Sequence, residues 1–303
     1  MSIKRIFFLI ALVAVSLSVN AQNKKKPVSH RFLAAGSGWS KIMIVDENGK
    51  AVWEHKINKG EECNSATMMP DGNVLYSHKT GATIVSSKNE IVWTYKREPN
   101  TEVQSATLLP KGHILIGQNG TPAKLMEFDK NRKLVKTVTI NTGVKNPHGQ
   151  FRRVNKSKQG TYWVGLKGAA REYNAQGELI RTVDTEGKPF TVVPLKKGGV
   201  LAGCGDKHMI REYDAEGKEI WNVSEKDLDK GFELRYVADL TRLKNGNTIV
   251  ANWGGHSHGK SRMPQVYEIT PEKKVVWKFE DWTLMDKVSS IQVLDVPARK
   301  YFR

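Results

Sequence analysis

The chain has 303 residues, and its 48 Lys and Arg outnumber 31 Asp and Glu, which gives a formal net charge of +17 at pH 7. With 39% hydrophobic residues the composition is globular, and this excludes an intrinsically disordered chain. So basic a protein is expected to bind acidic partners such as polyanionic glycans, nucleic acid or lipid headgroups. The alternative is that its scattered lysines only keep the protein soluble.

The first segment of the chain has the pattern of a secretory signal peptide. Lys4 and Arg5 precede an apolar run from Ile6 to about Val19, which is too short to cross a bilayer. Residues with small or short side chains follow, and we expect cleavage after Ala21. We therefore predict a signal peptide at 1–21, a basic and flexible tail at 22–29, and a folded domain at 30–303. The sequence predicts no transmembrane segment, a periplasmic or secreted location, and consequently no nucleic-acid partner.

One unit of about 40 residues recurs along the rest of the chain. Its clearest copies begin with Ser65–Thr67 and Ser105–Thr107, and a glycine-centred turn follows the opening strand in each copy. The same turn returns at Gly160, Gly198 and Gly246. Each unit has room for four short strands, which is typical of a propeller blade.

A second landmark in each unit is a hairpin whose last strand often carries Trp. It extends from Asp46 to Trp53 in one copy and from Asp214 to Trp221 in another. These two segments resemble the blade repeat of the pyrroloquinoline-quinone-like propellers. The resemblance implies a fold and no chemistry. Because the chain lacks the adjacent cysteines of the quinone enzymes, we expect no cofactor.

The two ends of the chain complement each other. Three strands of one unit, at about 31–35, 41–46 and 51–55, precede the first full copy, and a lone strand near Ser289–Val296 follows the last. We therefore predict an all-β, six-bladed β-propeller with four antiparallel strands per blade. One C-terminal and three N-terminal strands would share a blade and close the ring, which removes exposed strand edges.

Inter-blade loops and the loops between second and third strands lie on one face of a propeller, and their inner ends surround the axis. Five of the eight histidines fall in these loops. The candidate catalytic residues are His148, His208 and Tyr236, since imidazole and phenol groups exchange protons. The candidate ligand-binding residues are Trp39, Glu62, Asn64, His78, Lys79, Gln104, Lys167, Lys207, Arg235, Trp253, His256 and His258.

Two functions fit this face of the propeller. The first is a module that binds an anionic ligand, either an acidic glycan or a partner protein, because Lys and Arg bind carboxylate and sulfate groups. The alternative is a lyase or hydrolase of acidic saccharides with His and Tyr as acid and base. His256 and His258 could share a metal only if the ring brings Asp206, Glu62 or His208 to them as a third ligand, and the sequence predicts no metal site. Cys63 and Cys204 fall in opposite blades and are expected to be free thiols.

Overall fold

The computed structural model describes residues 28–58, 60–256 and 262–295. The predicted signal peptide and most of the predicted basic tail lie outside these ranges, as does His258. The described residues form six four-stranded antiparallel sheets, which are the blades of a propeller. Among them, no helix is long and apolar enough to cross a membrane.

The strands are numbered in chain order, and each blade is given from the axis outward. Blade 1 contains β24 (Ser290–Val293), β1 (Phe32–Ala35), β2 (Lys41–Val45) and β3 (Ala51–Lys56). Blade 2 contains β4 (Ala66–Met68), β5 (Val74–His78), β6 (Gly81–Val85) and β7 (Ile91–Lys96). Blade 3 contains β8 (Glu102–Leu108), β9 (Ile114–Asn119), β10 (Ala123–Phe128) and β11 (Leu134–Ile140).

Blade 4 contains β12 (Val154–Lys156), β13 (Tyr162–Leu166), β14 (Ala169–Tyr173) and β15 (Leu179–Asp184). Blade 5 contains β16 (Thr191–Pro194), β17 (Val200–Cys204), β18 (Met209–Tyr213) and β19 (Glu219–Ser224). Blade 6 contains β20 (Val237–Arg242), β21 (Thr248–Asn252), β22 (Val266–Ile269) and β23 (Val275–Phe279). Short 3-10 turns span Pro110–Gly112, Pro147–Gly149, Lys196–Gly198, Gly205–Lys207 and Glu225–Asp227.

Blade 1 confirms the predicted closure of the ring. Strand β24 from the C-terminal end pairs with β1, and Ile291 lies opposite Ala34 in the antiparallel register. The inner strands of the six blades contact one another in succession around the axis. The fold is therefore the six-bladed propeller expected from the repeats.

The core lies between the blades rather than in one central mass. Each main hydrophobic cluster contains side chains from two neighbouring sheets, because alternate residues of a strand face opposite sides. The outer-strand residues Trp53, Trp93, Trp221 and Trp277 pack against these clusters. Where the repeat has Arg181 instead, its guanidinium lies 5.3 Å from the ring centroid of Trp163 and donates to the Gly198 carbonyl of blade 5.

Hydrogen bonds between inner strands join the blades around the axis. A side chain at the start of an inner strand accepts a backbone N–H from the next blade: Ser65 from Ala106, Ser105 from Val154, Asp239 from Ile291, and Ser290 from Ala66. Blade 4 has Arg153 at the equivalent position, and a guanidinium cannot accept. Arg153 instead donates to Asp239 and Ser290, at 2.9 and 2.8 Å. Blade 4 is thus bonded to blades 6 and 1.

The two cysteines lie in separate parts of the ring, as expected. Cys63 precedes β4 in blade 2 and Cys204 ends β17 in blade 5. Both are free and buried, and burial raises the pKa of each thiol to about 12. Neither thiol is therefore a reactive thiolate near neutral pH.

Candidate functional site

Residues just before the inner strands converge at one end of the axis. We call the surface formed by Glu62, Glu102, His148, Arg152, Lys188 and Tyr236 the axial mouth. Blades 2 to 6 each contribute to it through an inter-blade loop or a strand end.

A chain of hydrogen bonds links the polar groups of the axial mouth. His148 Nδ1 lies 2.9 Å from Glu102, and Arg152 Nη2 lies 3.0 Å from His148 Nε2. Because a guanidinium only donates, His148 Nε2 accepts, and its Nδ1–H donates to Glu102. Both nitrogens of the imidazole are thus occupied in this arrangement.

Glu102 is the carboxylate on which several donors of the axial mouth converge. Gln104 donates to it at 2.8 Å, Asn64 donates in turn to Gln104 at 2.6 Å, and Lys79 lies 3.3 Å away. Burial opposes the charge of Glu102, but the hydrogen bonds from His148 and Gln104 outweigh it and lower the pKa of this carboxyl group. Glu102 is therefore a fixed negative charge that orients His148.

Two cations of the axial mouth, Arg152 and Lys188, have no acidic partner in the part of the chain that the structure describes. Arg152 Nη1 donates to the His148 carbonyl at 2.6 Å, and Lys188 Nζ donates to the Gly149 carbonyl at 2.9 Å. Among the described residues, neither side chain forms an ion pair within 4.0 Å. Burial and then the charge of Arg152 lower the pKa of Lys188 to about 8, with Asp206 acting in the opposite direction.

Aromatic rings form one wall beside these cations. Tyr236 lies edge-to-face with Phe190, Trp253 and His256 at centroid distances of 5.5, 5.2 and 5.2 Å. The Tyr236 hydroxyl has no hydrogen-bond partner in the described part of the chain, and burial and Asp206 raise its pKa. The phenol is therefore protonated at neutral pH and available to donate.

Comparison with known proteins identifies the family. A model of the Mal s 1 allergenic protein-like family matches residues 37–274. The chain belongs to this family. No comparison shows membership of the pyrroloquinoline-quinone-like propellers, so that resemblance concerns the blade repeat alone. None of the curated proteins searched matches the chain.

Solved structures agree with the fold of this Mal s 1-like chain. A protein of unknown function from Bacteroides caccae is 34% identical with a TM-score of 0.82, and the match covers 87% of this chain and 98% of that one. A streptogramin B lyase structure is 12% identical with a TM-score of 0.57, covering 84% of each chain. A catalytically inactive virginiamycin B lyase from Staphylococcus aureus with quinupristin is 12% identical, with a TM-score of 0.56, covering 84% and 85%. The two lyases show a shared fold only.

The structure brings some of the predicted catalytic residues together and separates others. His148 and Tyr236 both lie in the axial mouth. His208 instead bonds to the Leu234 carbonyl at 2.7 Å and faces Glu225 at 3.9 Å, so no contact joins it to His148. His208 thus lies apart from His148, because it follows a 3-10 turn that directs it towards the loop between blades 5 and 6.

The predicted ligand-binding residues are also divided. Asn64, Gln104 and Lys79 support Glu102, Glu62 lies 3.9 Å from His148, and Trp253 and His256 belong to the aromatic wall. Trp39 and Glu62 border a cleft of about 520 Å³ between blades 1 and 2. His78 bonds to Thr80 and Thr83, and Arg235 pairs with Glu233 at 2.8 Å. Lys167 and Lys207 are exposed.

Sequence reasoning did not select Arg152, Lys188 or Glu102. One signal was present for Arg152: the third copy of the repeat has Arg152–Arg153 where the two clearest copies have Asn64–Ser65 and Gln104–Ser105. Lys188 and Glu102 carry no comparable signal, since their roles depend on loops from other blades. Among the described residues, no three His, Cys, Asp or Glu side chains are grouped so as to hold a metal ion.

Proposed function

We propose that this protein is an exported propeller that binds a carboxylate-bearing ligand, most simply an acidic glycan, at the axial mouth. The observation that carries the proposal is the pair of cations Arg152 and Lys188. They donate hydrogen bonds to the carbonyl groups of two successive residues and have no acidic partner among the described residues. An anion between the two would offset their mutual repulsion.

The chemistry of the two side chains matches a carboxylate. A guanidinium presents two parallel N–H groups to the two oxygens of a carboxylate, and Lys adds a point charge. Both side chains are half-buried, so water screens them less than it screens surface lysines. The aromatic wall supplies an apolar surface on which the face of a sugar ring can pack.

The arrangement favours binding over acid–base catalysis by His148. A general base needs a free nitrogen near the proton that it removes. Here Arg152 occupies Nε2 and Glu102 occupies Nδ1. The lyase or hydrolase alternative therefore depends on a rearrangement of these bonds, whereas anion binding by Arg152 and Lys188 requires none.

Titration calorimetry with oligogalacturonate and a neutral oligosaccharide of equal length tests the proposal. We expect the acidic ligand alone to bind, and we expect Arg152→Gln and Lys188→Gln each to weaken binding about tenfold or more, since a charge-assisted hydrogen bond contributes about 1.5–3 kcal/mol. Lys145→Gln is the matched control, because Lys145 is exposed in the loop between blades 3 and 4, on the same face. Equal binding of both ligands, or equal effects of Arg152→Gln and Lys145→Gln, would overturn the proposal.

Export needs a separate experiment. The full chain would be expressed with its own N-terminus in a bacterial host, and the periplasm and medium would be collected. We expect protein that begins at Gln22. Recovery of uncleaved protein in the cytoplasm alone would contradict export and would leave the binding proposal intact.

A further inference from the structure

Lys188 differs from Arg152 in being a nucleophile when it is neutral. We propose that Lys188 forms an imine with the carbonyl carbon of a 2-oxo acid whose carboxylate is bound by Arg152. The inference rests on the proposed function, because the same two side chains would hold the ligand, and it narrows the ligand class to carboxylates with an adjacent ketone, including open-chain 2-oxo sugar acids.

The geometry places an amine beside a carboxylate-binding group. Lys188 Nζ and Arg152 Nη1 donate to the carbonyl oxygens of Gly149 and His148, at 2.9 and 2.6 Å. These two carbonyl groups belong to consecutive residues of one 3-10 turn, and the charge of Arg152 acts on the pKa of Lys188, so the two cationic groups lie near each other. In a 2-oxo acid the ketone carbon is bonded directly to the carboxylate carbon, so a carboxylate on Arg152 brings the ketone to Lys188.

The environment makes Lys188 more reactive than a surface lysine. Its half-buried position and the charge of Arg152 lower its pKa to about 8. At pH 7 about one molecule in ten then carries a neutral amine, whereas an ordinary lysine is neutral in roughly one molecule in 2,500. Lys79, another lysine near the axial mouth, instead pairs with Glu102 at 3.3 Å.

The reaction is balanced without any further reactant. The nitrogen lone pair of Lys188 attacks the ketone carbon, a C–N bond forms, and the ketone oxygen leaves as water with the two hydrogens that the amine loses. Proton transfer to this oxygen needs a nearby acid. Tyr236 has a protonated hydroxyl without a partner in the described residues, and Asp206 interacts electrostatically with both Tyr236 and Lys188. Tyr236 is therefore the expected proton donor.

Reductive trapping tests this inference on the wild-type chain. The protein would be incubated with pyruvate and sodium cyanoborohydride over a range of pH, and intact mass and peptide mapping would locate the adduct. We expect a single addition at Lys188 of the mass of pyruvate less one oxygen atom. The rate of labelling at Lys188 would be divided by the rate for Nα-acetyl-lysine in the same buffer. This ratio should be highest at pH values too low for an ordinary lysine to react readily.

Three comparisons make the result specific. Acetone, which lacks the carboxylate, should label Lys188 at least tenfold more slowly than pyruvate, and Arg152→Gln should abolish this difference. Lys188→Arg should remove the adduct, whereas Lys145→Arg should not. Labelling spread over exposed lysines without preference for Lys188 would overturn the imine. If oligogalacturonate still binds in that case, the proposed function stands; if it does not, both fail.

Discussion

Replacing Arg153 with Met tests whether the ring is held together across its axis. Arg153 donates to Asp239 at 2.9 Å and to Ser290 at 2.8 Å, and so connects blade 4 to blades 6 and 1. The side chains of the ion pair are only 9% and 2% exposed. Met preserves much of the apolar stem but leaves the Asp239 carboxylate buried without this cation.

The size of the effect follows from that burial. Removal of one partner of a buried ion pair costs about 3–5 kcal/mol. Asp239 keeps the backbone N–H groups of Leu240 and Ile291, at 2.8 and 3.0 Å, which still stabilise its charge. We therefore expect a loss of about 3 kcal/mol in the free energy of unfolding, at the low end of this range.

Urea unfolding followed by Trp fluorescence measures this loss. The control is Lys274→Met, because Lys274 pairs with Asp229 at 3.3 Å while the two side chains are 63% and 60% exposed. An exposed pair of this kind contributes about 1 kcal/mol at most. Adding Asp239→Asn to Arg153→Met should recover part of the loss, since the buried charge is removed. Equal midpoint shifts for Arg153→Met and Lys274→Met would refute the reasoning.

Three further predictions concern pH and packing. Burial opposes the charge of His30, but its hydrogen bonds, first to Glu268, raise its pKa above the ordinary value of 6.5. The stabilisation from protonated His30 is therefore complete below pH 6.5 and is lost as the pH rises through the raised pKa. His30→Gln should make the unfolding midpoint depend less on pH. Gly205→Ala would place a Cβ 2.3 Å from the Tyr236 ring and should lower stability by about 1–3 kcal/mol and weaken oligogalacturonate binding, as thermal unfolding and calorimetry would show; an unchanged midpoint would contradict this packing. Oligogalacturonate affinity should fall as pH rises through about 8, where Lys188 loses its charge, and calorimetry of Lys188→Arg should show no such fall.

The sequence predicted the fold because the repeat is a local pattern. Glycine turns and hairpins recur with a period of about 40 residues, and each needs only its own neighbours in the chain. Closure of the ring could also be predicted, since the N-terminal unit lacks its first strand and a lone strand near the C-terminal end of the chain can supply it. The register of Ile291 opposite Ala34 confirms this inference.

The axial mouth was only partly predictable. Its face and the loops that form it follow from propeller topology, so His148 and Tyr236 could be selected from the sequence. The sequence does not indicate that Arg152 occupies His148 Nε2, or that His208 bonds instead to a carbonyl of the next loop. These contacts depend on side-chain directions in loops that lack a repeated pattern.

The amino-acid sequence by itself determined the number of blades, the split blade and the face on which the inter-blade loops lie, because strand periodicity and turn chemistry are local. Tertiary structure alone decided which charges are paired. Lys188 and Lys79 are both loop lysines in the sequence, yet one lies half-buried beside Arg152 and the other pairs with Glu102. The physical reason is that desolvation and Coulomb interactions depend on distance in space, which the ring sets by bringing loops from separate blades to one axis.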